Sequence, residues 1–284
     1  MNAMFGPAGN SDSFSAAGYK SVLQAPEFVN KMGLDCYEYQ CGRGVRVTES
    51  NAAIFKANAE KFGVSVSLHS PYYISLSSLE EEKRLKSVDY ILQSAAAVNM
   101  LGGERVVVHS GSCSKISREE ALALATDTLK KAVAALDENG LSNIHLCPET
   151  MGKINQLGTL DEVMELCLID ERLIPCIDFG HLNARTLGGM NSKQEFEKAL
   201  DLIENKLGHD RLKVFHAHFS KIEYSTGGEK KHLTFADEQY GPDFEPLGEL
   251  IAKKNLTPTI ICESAGTQAE DALYMKKCWQ SFCE

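Results

Sequence analysis

Short apolar, β-branched runs recur along this chain, separated by longer amphipathic segments, and that alternation admits few folds. The periodicity predicts strands at residues 4–6, 34–40, 64–69, 105–109, 143–149, 173–178, 213–218 and 257–263. The segments between them carry helix signals. Ser117 and Glu120 form a capping-box pattern, Leu122, Ala125, Leu129, Val133 and Leu136 mark one apolar face, and Asn139-Gly140 supplies a stop. Leu85, Val88, Leu92 and Ala96 make a similar stripe, ended by Gly102-Gly103 before the next strand. Eight βα units in one chain favour an α/β fold closed as a (β/α)8 TIM barrel over an open doubly wound sheet. A length of 284 residues suits one such domain, expected over residues 4–284. Met1 to Ala3, ahead of a second methionine at Met4, read as an expression remnant. The stretch from Ser220 to Asp243 reads as a long irregular loop, and a loop of that length in a compact domain is usually functional.

Hydrophobic residues at 43% and charged residues at 24% supply enough apolar material for a large core, which excludes disorder. No run approaches the roughly 20 apolar residues that cross a bilayer, and no signal-peptide pattern opens the chain. A soluble cytoplasmic protein without membrane contact is therefore expected, with a monomer as the working state. The nine cysteines lack any Cys-x-x-Cys spacing and are expected as reduced thiols, with Cys147, Cys176 and Cys262 acting as small buried hydrophobes in strands. No Gly-x-Gly-x-x-Gly or Walker motif follows a strand, so no nucleotide cofactor is expected. A net charge of −10 opposes indiscriminate attraction to phosphate backbones and argues against a nucleic-acid coat protein. It is compatible with carboxylates gathered around cations.

The residues that finish the strands carry the chemistry. His69, His109, Glu149, Asp178, His216 and Glu263 each stand near the end of one of strands three to eight. In a barrel those positions converge on the C-terminal rim, and histidine with carboxylate suits zinc, manganese and related ions. Three carboxylates brought together there without cations would cost several kcal/mol in desolvation and repulsion. His181, three residues after Asp178, adds a donor where the chain leaves the sixth strand.

His69-Ser-Pro-Tyr72, His109-Ser-Gly-Ser112, Asp178-Phe-Gly-His181 and the glutamate of the eighth strand recur in this order in the endonuclease IV family (AP endonuclease family 2), and over nearly its whole length the chain resembles that branch of the xylose isomerase-like barrels. The resemblance implies two or three Zn2+ ions, Mn2+ or another divalent ion being the substitute. It implies that His69, His109 and Glu149 hold one ion, that Glu149 bridges to a second held by Asp178, His216 and Glu263, and that His181 belongs to a third. The family completes its third site with an aspartate and a histidine one residue apart. Here the chain reads Glu229-Lys-Lys231-His232, so Lys231 stands in the histidine's place and Glu229 and His232 are the substitute donors. After strand seven the family's Asn-Asp pair is replaced by His218-Phe219, which makes His218 a candidate ligand or substrate contact. Tyr72 matches a tyrosine placed against the exposed lesion. Arg43 and Arg46 follow strand two, where the family inserts a polar wedge into DNA.

The function implied is that of a hydrolase: a metal-dependent endodeoxyribonuclease of DNA repair, cleaving 5′ to abasic sites by a metal-activated hydroxide, with Glu149 orienting or deprotonating the nucleophile. Its partner would be DNA carrying an abasic or damaged sugar. Glu149, Asp178, His216 and Glu263 equally satisfy the single-metal pattern of sugar isomerases and epimerases on related barrels. A barrel that binds metal and sugar phosphate without turnover is the third reading. His69, His109 and the His-Ser-Gly-Ser context favour the nuclease.

Overall fold

The computed structural model describes residues 2–113 and 115–283. Eight parallel strands wind into a nearly closed barrel: β1 (Met4–Pro7), β2 (Cys36–Gln40), β3 (Ser65–His69), β4 (Arg105–His109), β5 (His145–Glu149), β6 (Cys176–Asp178), β7 (His216–Phe219) and, after a hairpin of β8 (Ile222–Ser225) and β9 (Gly228–His232), β10 (Thr259–Cys262). They are ordered β1-β10-β7-β6-β5-β4-β3-β2. The seam between β1 and β2 is closed by a parallel bridge of Ala8 with Glu38 and by the Asp35 amide donating 2.9 Å to the Phe5 carbonyl. Only glycine fits at position 6, where a Cβ would stand 1.8 Å from the Cys36 carbonyl oxygen. The fold expected from the sequence, a single-chain TIM barrel, is the one observed.

Helices cover the outside because each crossover is amphipathic and capped. Thr48, Ser117 and Thr159 accept from backbone amides at the starts of Glu49–Phe62, Arg118–Glu138 and Leu160–Cys167. The stripe expected along the helix Glu81–Leu101 is displaced. Leu85 is exposed and Val88, Leu92 and Ala96 are half-buried, while Ser87, Ile91, Ser94, Ala95, Val98 and Leu101 face the core. Ser87 and Ser94 tolerate burial because their hydroxyls donate to carbonyls one turn earlier, 2.9 Å to Lys83 and 2.8 Å to Tyr90. Such serines look like surface residues in a sequence.

Three further expectations are corrected. β7 begins at His216, since residues up to Lys213 form a short helix, His209–Lys213. The stretch expected as an irregular loop from Ser220 contains a hairpin, β8 (Ile222–Ser225) and β9 (Gly228–His232). Its polar sequence hides the strand period because it lies over the barrel mouth and not in the core. Ala3, set aside in the sequence as part of a remnant, is buried in the core. The nine cysteines are unpaired, with Cys147, Cys176 and Cys262 fully buried. Among the described residues no helix is long and apolar enough to cross a membrane.

Candidate metal centre

At the C-terminal rim the strand ends, the helix after β6 and the hairpin present overlapping donor sets, of which three matter most. His69, His109 and Glu149 form the first, Glu149, Asp178, His218 and Glu263 the second, and His181, Glu229 and His232 the third, with the ligand atoms of each set within 4.8 Å of one another. Glu149 belongs to two of them. Its Oε2 stands 3.4 Å from Nε2 of both His69 and His109, and its Oε1 stands 3.0 Å from His218 Nδ1. Nitrogen and oxygen held about 2.0–2.1 Å from a tetrahedral ion lie about 3.4 Å apart, so the His69 and His109 spacing is that of ligands around a common centre. Glu149 Oε2 and Asp178 Oδ2 are buried without a hydrogen-bond partner among the described residues. Orphaned carboxylate oxygens of this kind are costly unless a cation completes them, so the residues present fit divalent ions.

Backbone contacts fix how the donors point. Ser110 Oγ donates 2.7 Å to the Glu149 carbonyl, tying β4 to β5, and Thr150 Oγ1 accepts from the Asp178 amide at 2.8 Å, tying β5 to β6. Asp178 caps the helix Phe179–Arg185, its Oδ1 accepting from the His181 amide at 2.7 Å. That cap places His181 beside Asp178 and the hairpin together. His181 Nδ1 lies 2.9 Å from the Thr150 carbonyl and 3.2 Å from Asp178 Oδ2, and its Nε2 lies 3.4 Å from Glu229 Oε2. His69 Nδ1 is similarly anchored on the Ser70 carbonyl at 2.8 Å.

The third set depends on an irregularity in the hairpin. Ile222 pairs with His232 and Glu223 with Lys231, but Tyr224 pairs with Glu229, leaving Lys230 as an extra residue. This bulge resets the strand's alternation, so Glu229 and His232, three positions apart, face the same side. Lys231 turns away and pairs with Glu223 at 3.2 Å. Gly152 lets the hairpin approach, because a Cβ there would fall 2.6 Å from Glu229 Cβ.

One sequence assignment shifts in depth. The ligand of the seventh strand was expected at His216, yet His216 lies one layer below the rim, fully buried, with Nε2 3.0 Å from Glu38 Oε2. His218, two residues on and so on the same strand face, is the one beside Glu149 and Glu263. Glu38 itself was missed. Tyr37 and Tyr39 pack outward against Phe55, which by strand alternation turns Glu38 into the barrel, and a charged residue at that parity was the available signal.

The electrostatics follow from burial and crowding. Burial resists charging His69 and His181, but Glu149 beside the first, and Asp178, Glu149 and Glu229 beside the second, prevail and push both up to about 9. His109 is pushed down to about 4 by burial, with Glu149 only partly compensating, and His216 also falls to about 4 by burial despite Glu38. Burial raises Glu263. Burial also opposes ionisation of Glu149, and His218, His69 and His109 outweigh it to hold that carboxyl well below its usual range.

Above these groups lies a cavity of about 350 Å³ whose wall includes Gln40, Tyr72, Met151, Lys153 and Gln156. Tyr72 is 64% exposed at its mouth. Arg43 and Arg46 are exposed on the loop after β2 and are not among the residues lining the cavity. The lysines near the hairpin form ion pairs: Lys221 with Asp243 at 3.0 Å, and Lys230 and Lys231 with Glu223.

Comparison with known proteins agrees with the barrel fold. The sequence model of the family described as xylose isomerase-like TIM barrel matches residues 26–278. An uncharacterized protein of Methanocaldococcus jannaschii is 33% identical over 257 residues, covering 90% of this chain and 91% of that protein. A probable endonuclease 4 of Acholeplasma laidlawii is 26% identical over 215 residues, covering 72% and 71%. Among solved structures, a D-tagatose 3-epimerase-like protein superposes with a TM-score of 0.73 at 18% identity, over 99% of this chain and 98% of the other. Endonuclease IV from Thermus thermophilus does so with 0.69 at 20% identity, over 99% and 98%.

Proposed function

We propose that this chain, which belongs to the xylose isomerase-like TIM barrel family, is a metal-dependent phosphodiester hydrolase acting on DNA 5′ to abasic or similarly damaged sugars. The observation that carries this reading is the sharing of Glu149 between two donor sets, with a third set alongside. Polynuclear sites suit in-line displacement at phosphorus, where attacking and departing oxygens both need stabilisation. Similarity to proteins named as probable endonuclease 4 points the same way.

His69, His109, Glu149, Asp178, His181, His218, Glu229, His232 and Glu263 would hold the ions, zinc being the one best suited to this mix of imidazole and carboxylate. Bound divalent ions supply Lewis acidity to phosphate oxygens and lower the pKa of water. The chain's own groups do the rest. Glu149, buried between histidines on both sides, orients a water for attack. Lys153, exposed in the cavity wall, offers a positive charge to a phosphate. Tyr72 offers an exposed ring on which an unstacked base or sugar can rest.

A second reading has its own observation. Glu149, Asp178, His218 and Glu263 form a complete four-donor group without help from the other two sets. One ion there would suit a sugar epimerase, with paired carboxylates moving a proton beside a carbonyl. Metal stoichiometry and a two-substrate assay separate the readings. Purified protein reconstituted with zinc or manganese is expected to hold two or three ions per chain and to nick a duplex containing an abasic analogue faster than intact duplex. One ion per chain, with epimerisation of ketoses and no DNA cleavage, overturns the nuclease reading.

A further inference from the structure

Beneath the rim, the Glu38 carboxylate is fully buried, with three hydrogen-bond donors and the His218 imidazole around it. Oε1 lies 3.0 Å from His218 Nε2 and accepts from Gln40 Nε2 at 3.3 Å, while Oε2 lies 3.0 Å from His216 Nε2 and accepts from Ser67 Oγ at 2.9 Å. We propose that Glu38 is a positioning residue for the metal centre, keeping the His218 proton on Nε2 so that Nδ1 is free to ligate. The inference rests on the metal-dependent reading of the rim.

The geometry of the neighbouring histidines supports it. His69 and His181 each turn Nε2 toward a donor set and are held from behind through Nδ1, by the Ser70 and Thr150 carbonyls. His218 is reversed, with Nδ1 3.0 Å from Glu149 Oε1 and 3.5 Å from Glu263 Oε2, so its rear partner must meet Nε2. The charged group nearest Nε2 is the Glu38 carboxylate, an ion-pair contact at 3.0 Å. A carboxylate behind a ligating imidazole fixes the tautomer and raises ligand basicity. No rim residue can take this role, because His218 Nε2 points into the barrel. Cys176 also stands near His216 and His218.

Glu38→Gln is nearly isosteric but presents an amide that can donate to His218 Nε2, favouring the tautomer with its proton on Nδ1. Zinc affinity measured by chelator competition is expected to fall about 10- to 100-fold for one ion, while another ion stays bound as in the parent. Long-range proton–nitrogen spectra of the zinc-loaded parent should show His218 carrying its proton on Nε2. Ser67→Ala removes a donor to the same carboxylate without touching His218, and should leave zinc affinity within about twofold. Equal zinc affinity in the parent and in Glu38→Gln overturns the assignment of Glu38 alone, as does an equal loss in Ser67→Ala, which would mark a general packing defect. An additional ion bound by Cys176 and His216 would do the same. A parent that binds no divalent metal overturns both this inference and the hydrolase reading.

Discussion

The two sides of the barrel mouth are built differently. On the side of β5 to β9, the loop 151–156 is clamped: Arg185 donates to the carbonyls of Met151, Lys153, Ile154 and Gln156 at 2.6, 3.0, 3.2 and 2.6 Å. Arg118 pairs with both oxygens of Glu162 at 2.7 Å and reaches the Ile154 and Gln156 carbonyls at 3.1 Å. The hairpin is stitched to this loop by Glu229 N to Gly152 O and Ile154 N to Gly227 O, each 3.1 Å. On the side of β2 and β3, Arg43, Arg46 and Tyr72 project into solvent. The clamped side holds Glu149, Asp178, His181, Glu229 and His232 in place before any ligand arrives, while His69 and His109 reach the same centre from β3 and β4. On the proposed function, the open side is where a substrate would be recognised.

The largest effect should come from the residue on which the clamped side converges. Glu149→Gln keeps the volume of the side chain but removes the charge that faces His69, His109 and His218. Turnover of an abasic duplex is expected to fall by about 10³-fold or more, with loss of at least one bound ion and an unchanged circular dichroism spectrum. Retention of activity within tenfold would mean that the rigid side of the mouth is not where the chemistry occurs.

Arg185→Ala tests the clamp itself. Four carbonyls lose a charged donor at once, and the expected cost is about 2 to 3 kcal/mol in denaturant unfolding. Amide exchange should rise first in residues 151–156, with the rest of the barrel protected. Uniformly raised exchange would show that Arg185 supports the whole fold and not the loop.

Much of this was legible in the sequence, for identifiable reasons. Strand period and the helix cap at Ser117 are local signals, so the barrel could be read directly. The face of β7 was legible too, since His216 and His218 share it. Depth along a strand was not, because periodicity says which way a side chain points and nothing of how far up the barrel it sits. The hairpin posed a different difficulty. The Glu229-Lys-Lys-His232 spacing breaks strand alternation, and a bulge at Lys230 restores it only once β8 is paired alongside. Glu38 was hidden by context, since the partners that make it intelligible lie 29 and 178 residues away.

Removing metal should expose the charge imbalance of the histidines and carboxylates gathered at the barrel mouth. His69 and His181 carry pKa values near 9 in the folded chain against an ordinary value near 6.5, so their stabilisation is complete below about pH 6.5 and is lost as pH rises through 9. His109 and His216, held near 4, act oppositely: they oppose folding as pH drops from 6.5 toward 4. The metal-free protein should therefore be most stable near pH 6.5. Ions replace those protons, so the difference in melting temperature between metal-loaded and metal-free protein should widen from pH 6.5 to 9. A gap that stays constant across this range would mean that the histidines do not exchange protons for ions.

The smallest effect belongs to the open side. Tyr72 is exposed and its ring meets Tyr73 edge-on, with centroids 5.8 Å apart, so its loss leaves the core untouched and Tyr72→Ala should unfold at the parent's midpoint. If its ring stacks on an unpaired base or sugar, removing it costs about 1 kcal/mol of binding, roughly fivefold in affinity for an abasic duplex. The rate of the bound complex should stay near that of the parent, because no metal donor moves. Arg43→Ala, farther from the cavity, should weaken binding less and chiefly lower its salt dependence, through the loss of one phosphate contact. A fall in the bound rate comparable to that of Glu149→Gln would erase the division between the two sides. Unchanged affinity for DNA in both variants, together with altered binding of ketoses in Tyr72→Ala, would keep the division and reassign the open side to a sugar.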